Sequence, residues 1–302
     1  MRIGLFTDAL AERPLAAVLD WLTAEVPSVR EVEVGTGGYS PAPHCDRETL
    51  LADGQARAAF VDTIESRDFR LAALNVSGNP LETAEHDRAL RETIALAGLL
   101  GVDRVVCMSG GRPELSGGAW FPGVEDEVDR YWVDRVLPYW RELAELAAHA
   151  HPDLRLCFEL EPGAAAFNVS TVERLLELGP TLAVNLDPSH FFWQSIDPLV
   201  AIRRLAGRIG FAHGKDTVLD AARIGVDGRL DRTAWRYATV GHGRGPGWWR
   251  DFGDALRRAG YDGVVSIEYE DPLVAPEASI AQAAQVLADA LAGAAAPGVA
   301  AP

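Results

Sequence analysis

Short β-rich runs alternate with amphipathic helical stretches along the whole chain, and that alternation leaves few folds open. The runs are RIGLF (2–6), EVEV (31–34), RLAALN (70–75), RVVCM (104–108), LRLCFE (154–159), TLAVNLD (181–187), RIGFAH (208–213) and GVVSIE (263–268), eight in all. Rich in Val, Ile, Leu and Phe, they read as strands buried on both faces. Between them, Leu15, Val18, Leu19 and Leu22 recur at helical spacing, as do Trp249, Phe252, Leu256 and Ala259, and Ile280, Ala283, Leu287 and Leu291. Pro27, Gly101, Pro152, Pro180 and Gly260 mark returns from helix to strand. Strict alternation demands a parallel sheet. Eight units predict a single closed (β/α)8 TIM barrel, and no glycine-rich dinucleotide fingerprint follows the first strand to favour an open sheet. The 302 residues, 48% of them apolar, suit one such barrel. No linker interrupts the pattern. Residues 1–291 are therefore assigned to the barrel domain, and the low-complexity AGAAAPGVAAP (292–302) to a flexible tail.

Charge narrows the partners. Lys plus Arg number 28 against 44 Asp plus Glu, a formal charge of −16. Such a balance repels phosphate backbones, so nucleic acid is not expected. It suits a small neutral molecule or a cation. The first residues carry no long apolar region of the signal-peptide kind, and no stretch is apolar enough to span a membrane, so a cytoplasmic protein is expected. The three cysteines, Cys45, Cys107 and Cys157, have no disulfide-framework spacing. Cys107 and Cys157 lie in apolar runs and read as buried thiols. Oligomeric state is left open, with Trp248 and Trp249 as aromatics suited to an interface.

In a barrel the chemistry sits where strands end at their carboxyl termini. The fifth run ends in Glu159, the sixth in Asp187 with His190 three residues on, the seventh in His213 followed by Lys215, and the eighth in Glu268. Four spatially adjacent strands thus deliver three carboxylates and an imidazole to one rim. Converging carboxylates in a partly dry cavity are costly unless a cation compensates them. The oxygen-rich set Glu159, Asp187, His213 and Glu268 predicts one divalent metal ion. Mn²⁺ is favoured, with Mg²⁺, Co²⁺, Fe²⁺ and Zn²⁺ also compatible.

FELEPG (158–163), VNLDPSHFFWQSIDP (184–198), AHGKDT (212–217) and VVSIEYEDP (264–272) resemble the xylose-isomerase-like sugar isomerases and epimerases. GNPL (78–81) and GHGRGPGWWRDF (241–252) add to the resemblance, which covers nearly the whole chain. It implies a (β/α)8 barrel with one divalent metal held by the same four residues, and it places His190 against the substrate. Two departures bear on substrate choice. Glu161 and Ser77 stand where members of that family often carry histidine.

The expected chemistry is proton abstraction next to the carbonyl of a keto-sugar or keto-glycoside, through an enediolate. Glu159 and Glu268 are the expected acid/base pair. His190, Lys215, Asn79, Ser77, His242 and Trp120 are the expected substrate contacts, and Phe191, Phe192 and Trp193 the pocket wall. Phosphate recognition is not expected, because acids rather than a glycine-rich anion site follow the eighth run. A 3-keto-glycoside deglycosidase, eliminating an aglycone from the same enolate, is the alternative. A non-catalytic sugar-binding protein is the second alternative. A three-zinc DNA-repair endonuclease would need more histidines than the seven present, and a basic groove.

Overall fold

The structure, a computed structural model, describes residues 1–115 and 124–292. Trp120 and nearly all of the tail lie outside the described residues. Among the described residues there are ten strands: β1 (Arg2–Phe6), β2 (Val29–Gly35), β3 (Arg70–Asn75), β4 (Arg104–Met108), β5 (Arg155–Glu159), β6 (Leu182–Leu186), β7 (Ile209–Gly214), β8 (Asp216–Leu219), β9 (Trp235–Ala238) and β10 (Val264–Ile267). Eight of them close into a parallel barrel in the order β1-β10-β7-β6-β5-β4-β3-β2. These are the eight runs read from the sequence. The other two, β8 and β9, form an antiparallel pair outside the barrel, with Asp216 opposite Ala238 and Leu219 opposite Trp235. Nothing in the sequence reading anticipated them, because each is only four residues long and β9 carries no clean apolar alternation.

The apolar residues divide into two cores, as the two-residue period of a strand requires. Leu5, Val32, Val34, Leu156, Phe158, Val184 and Leu186 point outward and pack under the helices. Ala73, Val106, Cys157, Ala183, Phe211 and Val264 point inward and fill the barrel. The helices bury the stripes their spacing predicted. Leu15, Val18, Leu19 and Leu22 are buried on Leu15–Glu25, and Ile280, Ala283, Leu287 and Leu291 on Pro276–Leu291. Each such large side chain contributes about 1.5–3 kcal/mol by leaving water. At the amino-terminal mouth, Arg2 and Arg70 both pair with the buried Glu31, at 3.1 and 2.9 Å. Among the described residues, no helix is long and apolar enough to cross a membrane.

Two expectations change here. Trp249 is fully buried in the core, while Trp248 is half-buried, stacking at 5.5 Å on Phe252 and meeting Phe192 at 4.9 Å. Phe191 and Phe192 are buried beneath the short helix Pro188–Gln194, and Trp193 lies parallel to Trp235 of β9 at 4.6 Å. The aromatic run therefore serves packing, Trp193 on the β8–β9 hairpin and Phe192 on Trp248, instead of walling the pocket.

All three cysteines are buried. Burial pushes the thiols of Cys45 and Cys157 up to about 12 and that of Cys107 well above its ordinary value. At pH 8 the reactive thiolate is then scarce as well as shielded. Ellman's reagent is expected to find no thiol in the native protein and all three in guanidinium. A rapidly reacting thiol in the native state would contradict this packing.

Candidate metal centre

The inward register that fills the barrel also builds the site. Two residues beyond inward-facing Cys157 on β5 stands Glu159, and two beyond Phe211 on β7 stands His213. Asn185 of β6 leads to Asp187 by the same step, and Ser266 of β10 leads to Glu268. Neighbouring strands hold these positions in register, with Glu159 opposite Asn185 and Ser266 opposite His213. One ligand atom from each of Glu159, Asp187, His213 and Glu268 lies within 4.8 Å of the other three. Three of the four are buried, and Glu268 is nearly so. Asp187 also caps the helix Pro188–Gln194 by accepting the Ser189 N–H at 2.8 Å through Oδ1, which leaves Oδ2 turned to the cluster.

Lys215 continues the inward step from His213, and its ammonium enters the cluster. Nζ stands 2.6 Å from Glu268 Oε2, 3.1 Å from Asp187 Oδ2 and 3.1 Å from Glu270 Oε2. Asp187 Oδ2 and Glu268 Oε2 are buried and accept no well-directed hydrogen bond from the described residues. Charge alone satisfies them.

His190 faces Glu159 with Nε2 at 3.0 Å from Oε1, while its Nδ1 lies 2.9 Å from the Tyr237 hydroxyl. Tyr237 belongs to β9, so the hairpin that aromatic packing anchors places this residue over the site. Its ring also lies 4.6 Å from the Lys215 ammonium, a cation–π contact.

The electrostatics follow from burial and charge. Burial opposes ionisation of Glu159, but its bonds to His190 and His213 hold the carboxyl well below the usual range. Burial and Lys215 oppose a charge on His190, yet Asp187 and Glu159 outweigh them and push it up to about 9. Burial likewise opposes the Lys215 charge, and Asp187, Glu268 and Glu270 hold its pKa well above the ordinary value. For Glu161 and Glu270 burial dominates, and their carboxyls are raised.

A cavity of about 360 Å³ opens beside the cluster, lined among others by Glu159, Glu268, His190, Lys215, Ser77 and Glu161. The described residues that line it include Tyr39, Tyr237 and Tyr269 but no arginine. Ser77 directs its hydroxyl at Glu159 Oε2, at 3.5 Å. Two expected contacts lie elsewhere. Asn79 commits its amide to the backbone of Gly111, donating to the carbonyl at 2.8 Å and accepting the N–H at 2.9 Å. His242 stands 3.7 Å from Asp271 in a loop away from the cavity lining. Asn and His in glycine-rich turns serve the turn as readily as a ligand, and here Asn79 is held by backbone and His242 faces the Asp271 carboxylate.

Sequence reasoning missed Tyr237 and Glu33. The signal for Glu33 was present in EVEV, where acids alternate with valines that face the helices. An acid at an inward position of a barrel strand must find a partner inside.

A family model described as xylose isomerase-like TIM barrel matches residues 32–290. The chain belongs to this xylose isomerase-like TIM barrel family. Among individual relatives, uncharacterized protein YfiH of Bacillus subtilis (strain 168) is 34% identical over 310 residues, spanning 95% of this chain and 98% of that protein. The fold is shared with the IOLI protein solved with a bound zinc atom, at TM-score 0.68 and 18% identity, covering 97% of this chain and 98% of that one. It is shared with an L-ribulose 3-epimerase, at TM-score 0.63 and 18% identity over 96% and 94% of the two chains. It is shared also with the probable 3-DHS dehydratase AsbF of Bacillus anthracis, at TM-score 0.67 and 15% identity over 95% and 98%.

Proposed function

We propose that this protein is a divalent-metal-dependent isomerase or epimerase that removes the proton α to the carbonyl of an uncharged keto-sugar or keto-glycoside. The observation that carries this reading is the convergence of Glu159, Asp187, His213 and Glu268 beside a cavity of monosaccharide size that has no arginine among the described residues lining it. Three carboxylates and one imidazole fit a hard divalent ion, Mn²⁺ before Zn²⁺. Asp187 Oδ2 and Glu268 Oε2, which lack a directed hydrogen bond from the described residues, are the donors such an ion would take. When bound, the ion supplies Lewis acidity to the substrate's carbonyl oxygen.

The chain's own groups do the rest. Glu159 and Glu268 flank the site from β5 and β10 and act as the acid/base pair, one taking the α-proton and the other returning it. His190 is pinned between Glu159 and Tyr237, so its ring is oriented before substrate arrives. Lys215 brings positive charge that stabilises the developing enediolate oxygen. Glu270 is the carboxylate that keeps the ammonium in place once Asp187 and Glu268 serve the ion. The tyrosines of the lining present apolar faces to the substrate ring. Among the described residues no arginine fork lines the cavity, which disfavours a phosphorylated substrate.

The dehydratase among the fold neighbours supports a second reading, in which the same enolate expels a β-substituent. One experiment addresses both. The Mn²⁺-loaded protein is incubated in D₂O with a panel of free ketoses, 3-keto sugars and 3-keto-glycosides. Deuterium at the α-carbon together with an epimer or aldose is the expected result. An unsaturated ketone and free aglycone would select the lyase. No exchange across the panel, with metal bound, would leave a binding protein.

A further inference from the structure

Glu33 is a fully buried carboxylate on β2, across the barrel lumen from the ligand-bearing strands. Such a group is costly unless the interior gives it defined partners. It has two. Asn75 of β3 donates its amide N–H to Oε1 at 2.8 Å. The other is His213, whose Nε2 lies 3.2 Å from Oε1 and 3.1 Å from Oε2. The opposite ring nitrogen, Nδ1, faces the cluster, at 3.1 Å from Glu268 Oε2, 3.6 Å from Glu159 Oε1 and 4.0 Å from Asp187 Oδ2. Asn185 is nearly equidistant from the two nitrogens, at 3.2 and 3.4 Å, and so selects neither.

A neutral imidazole carries one N–H, and its other nitrogen carries the lone pair a metal needs. A carboxylate at Nε2 can only accept, so it draws the proton there. We propose that Glu33 is a positioning residue for the metal centre: it holds His213 in the Nε2–H tautomer and turns the Nδ1 lone pair to the ion, with Asn75 fixing Glu33 in turn. This inference rests on the metal reading above. It extends the metal centre to the amino-terminal half of the barrel, which supplies none of the four proposed ligands. It also accounts for a buried acid that the proton chemistry does not use.

The test is Mn²⁺ titration of wild type and Glu33→Gln by calorimetry, with circular dichroism as the control for folding. In the variant, Asn75 holds the amide oxygen and turns the NH₂ towards Nε2, which favours the wrong tautomer. Affinity is expected to fall about 10–100-fold with the fold intact. Equal affinities in the two folded proteins overturn the proposal, since a merely structural role would move stability alone. Should Glu33→Gln fail to fold, long-range ¹H–¹⁵N correlation of His213 in the Zn²⁺-loaded wild type decides. A protonated Nε2 with bare Nδ1 is the expected pattern, and a protonated Nδ1 overturns it. A wild type that binds no metal removes the metal reading itself, and this inference with it.

Discussion

Glu268→Gln is expected to lower α-proton exchange by about 10²–10⁴-fold, the range that a positioned acid/base group supplies. Two effects combine in this substitution. The neutral amide is a poorer ligand and cannot accept a proton. It also removes the closest counter-charge of Lys215, 2.6 Å away. Mn²⁺ affinity should fall with the rate, and saturating metal should restore only part of the loss. A variant with full exchange at saturating Mn²⁺ would show that Glu268 is a ligand without a role in proton transfer. The barrel itself should survive, because Glu268 lies just past the end of β10 and supports none of its apolar packing.

Asp216→Ala is expected to be the most damaging polar substitution outside the ligand set. Asp216 is fully buried, and its Oδ2 accepts backbone N–H groups from Gly241, Gly243 and Arg244 at 2.9–3.1 Å, while Oδ1 accepts that of Thr217 at 2.8 Å. The loop before Pro246–Arg258 is thus wound around one carboxylate. It is wound so tightly that a Cβ on Gly243 would sit 2.1 Å from the Thr217 carbonyl oxygen. Alanine leaves those donors without an acceptor, a loss of about 3 kcal/mol. The thermal midpoint should drop by about 5 °C or more. Asp216→Asn, which keeps one acceptor, should recover part of it. Thermal unfolding of the three proteins checks the order, and an unchanged midpoint for Asp216→Ala would sink the account of this loop.

The sequence showed the barrel well because its strands are buried on both faces and so read as short continuous apolar runs. It showed the four residues of the candidate metal centre for a related reason. A strand's inward register continues past its end, so Glu159, Asp187, His213 and Glu268 lie in step with the lumen residues before them. The β8–β9 hairpin was invisible, since four-residue strands bearing charge resemble loop, and Tyr237 was lost with it. Asn79 and His242 looked like ligand contacts because glycine-rich turns supply both ligands and turn bonds, and only coordinates distinguish the two. Lys215 could be placed at the rim, but not its partners. Its neighbour in sequence, Asp216, faces away and serves the adjoining loop.

The proposed function rests on a cation binding at the strand ends. The most direct measurement is the metal content of protein purified without chelator, beside that of a Glu159→Gln, Glu268→Gln double variant. About one equivalent of Mn²⁺ or a similar ion in the wild type, lost in the folded variant, is the result predicted here. No metal in the wild type after reconstitution, or equal metal in both proteins, would contradict it.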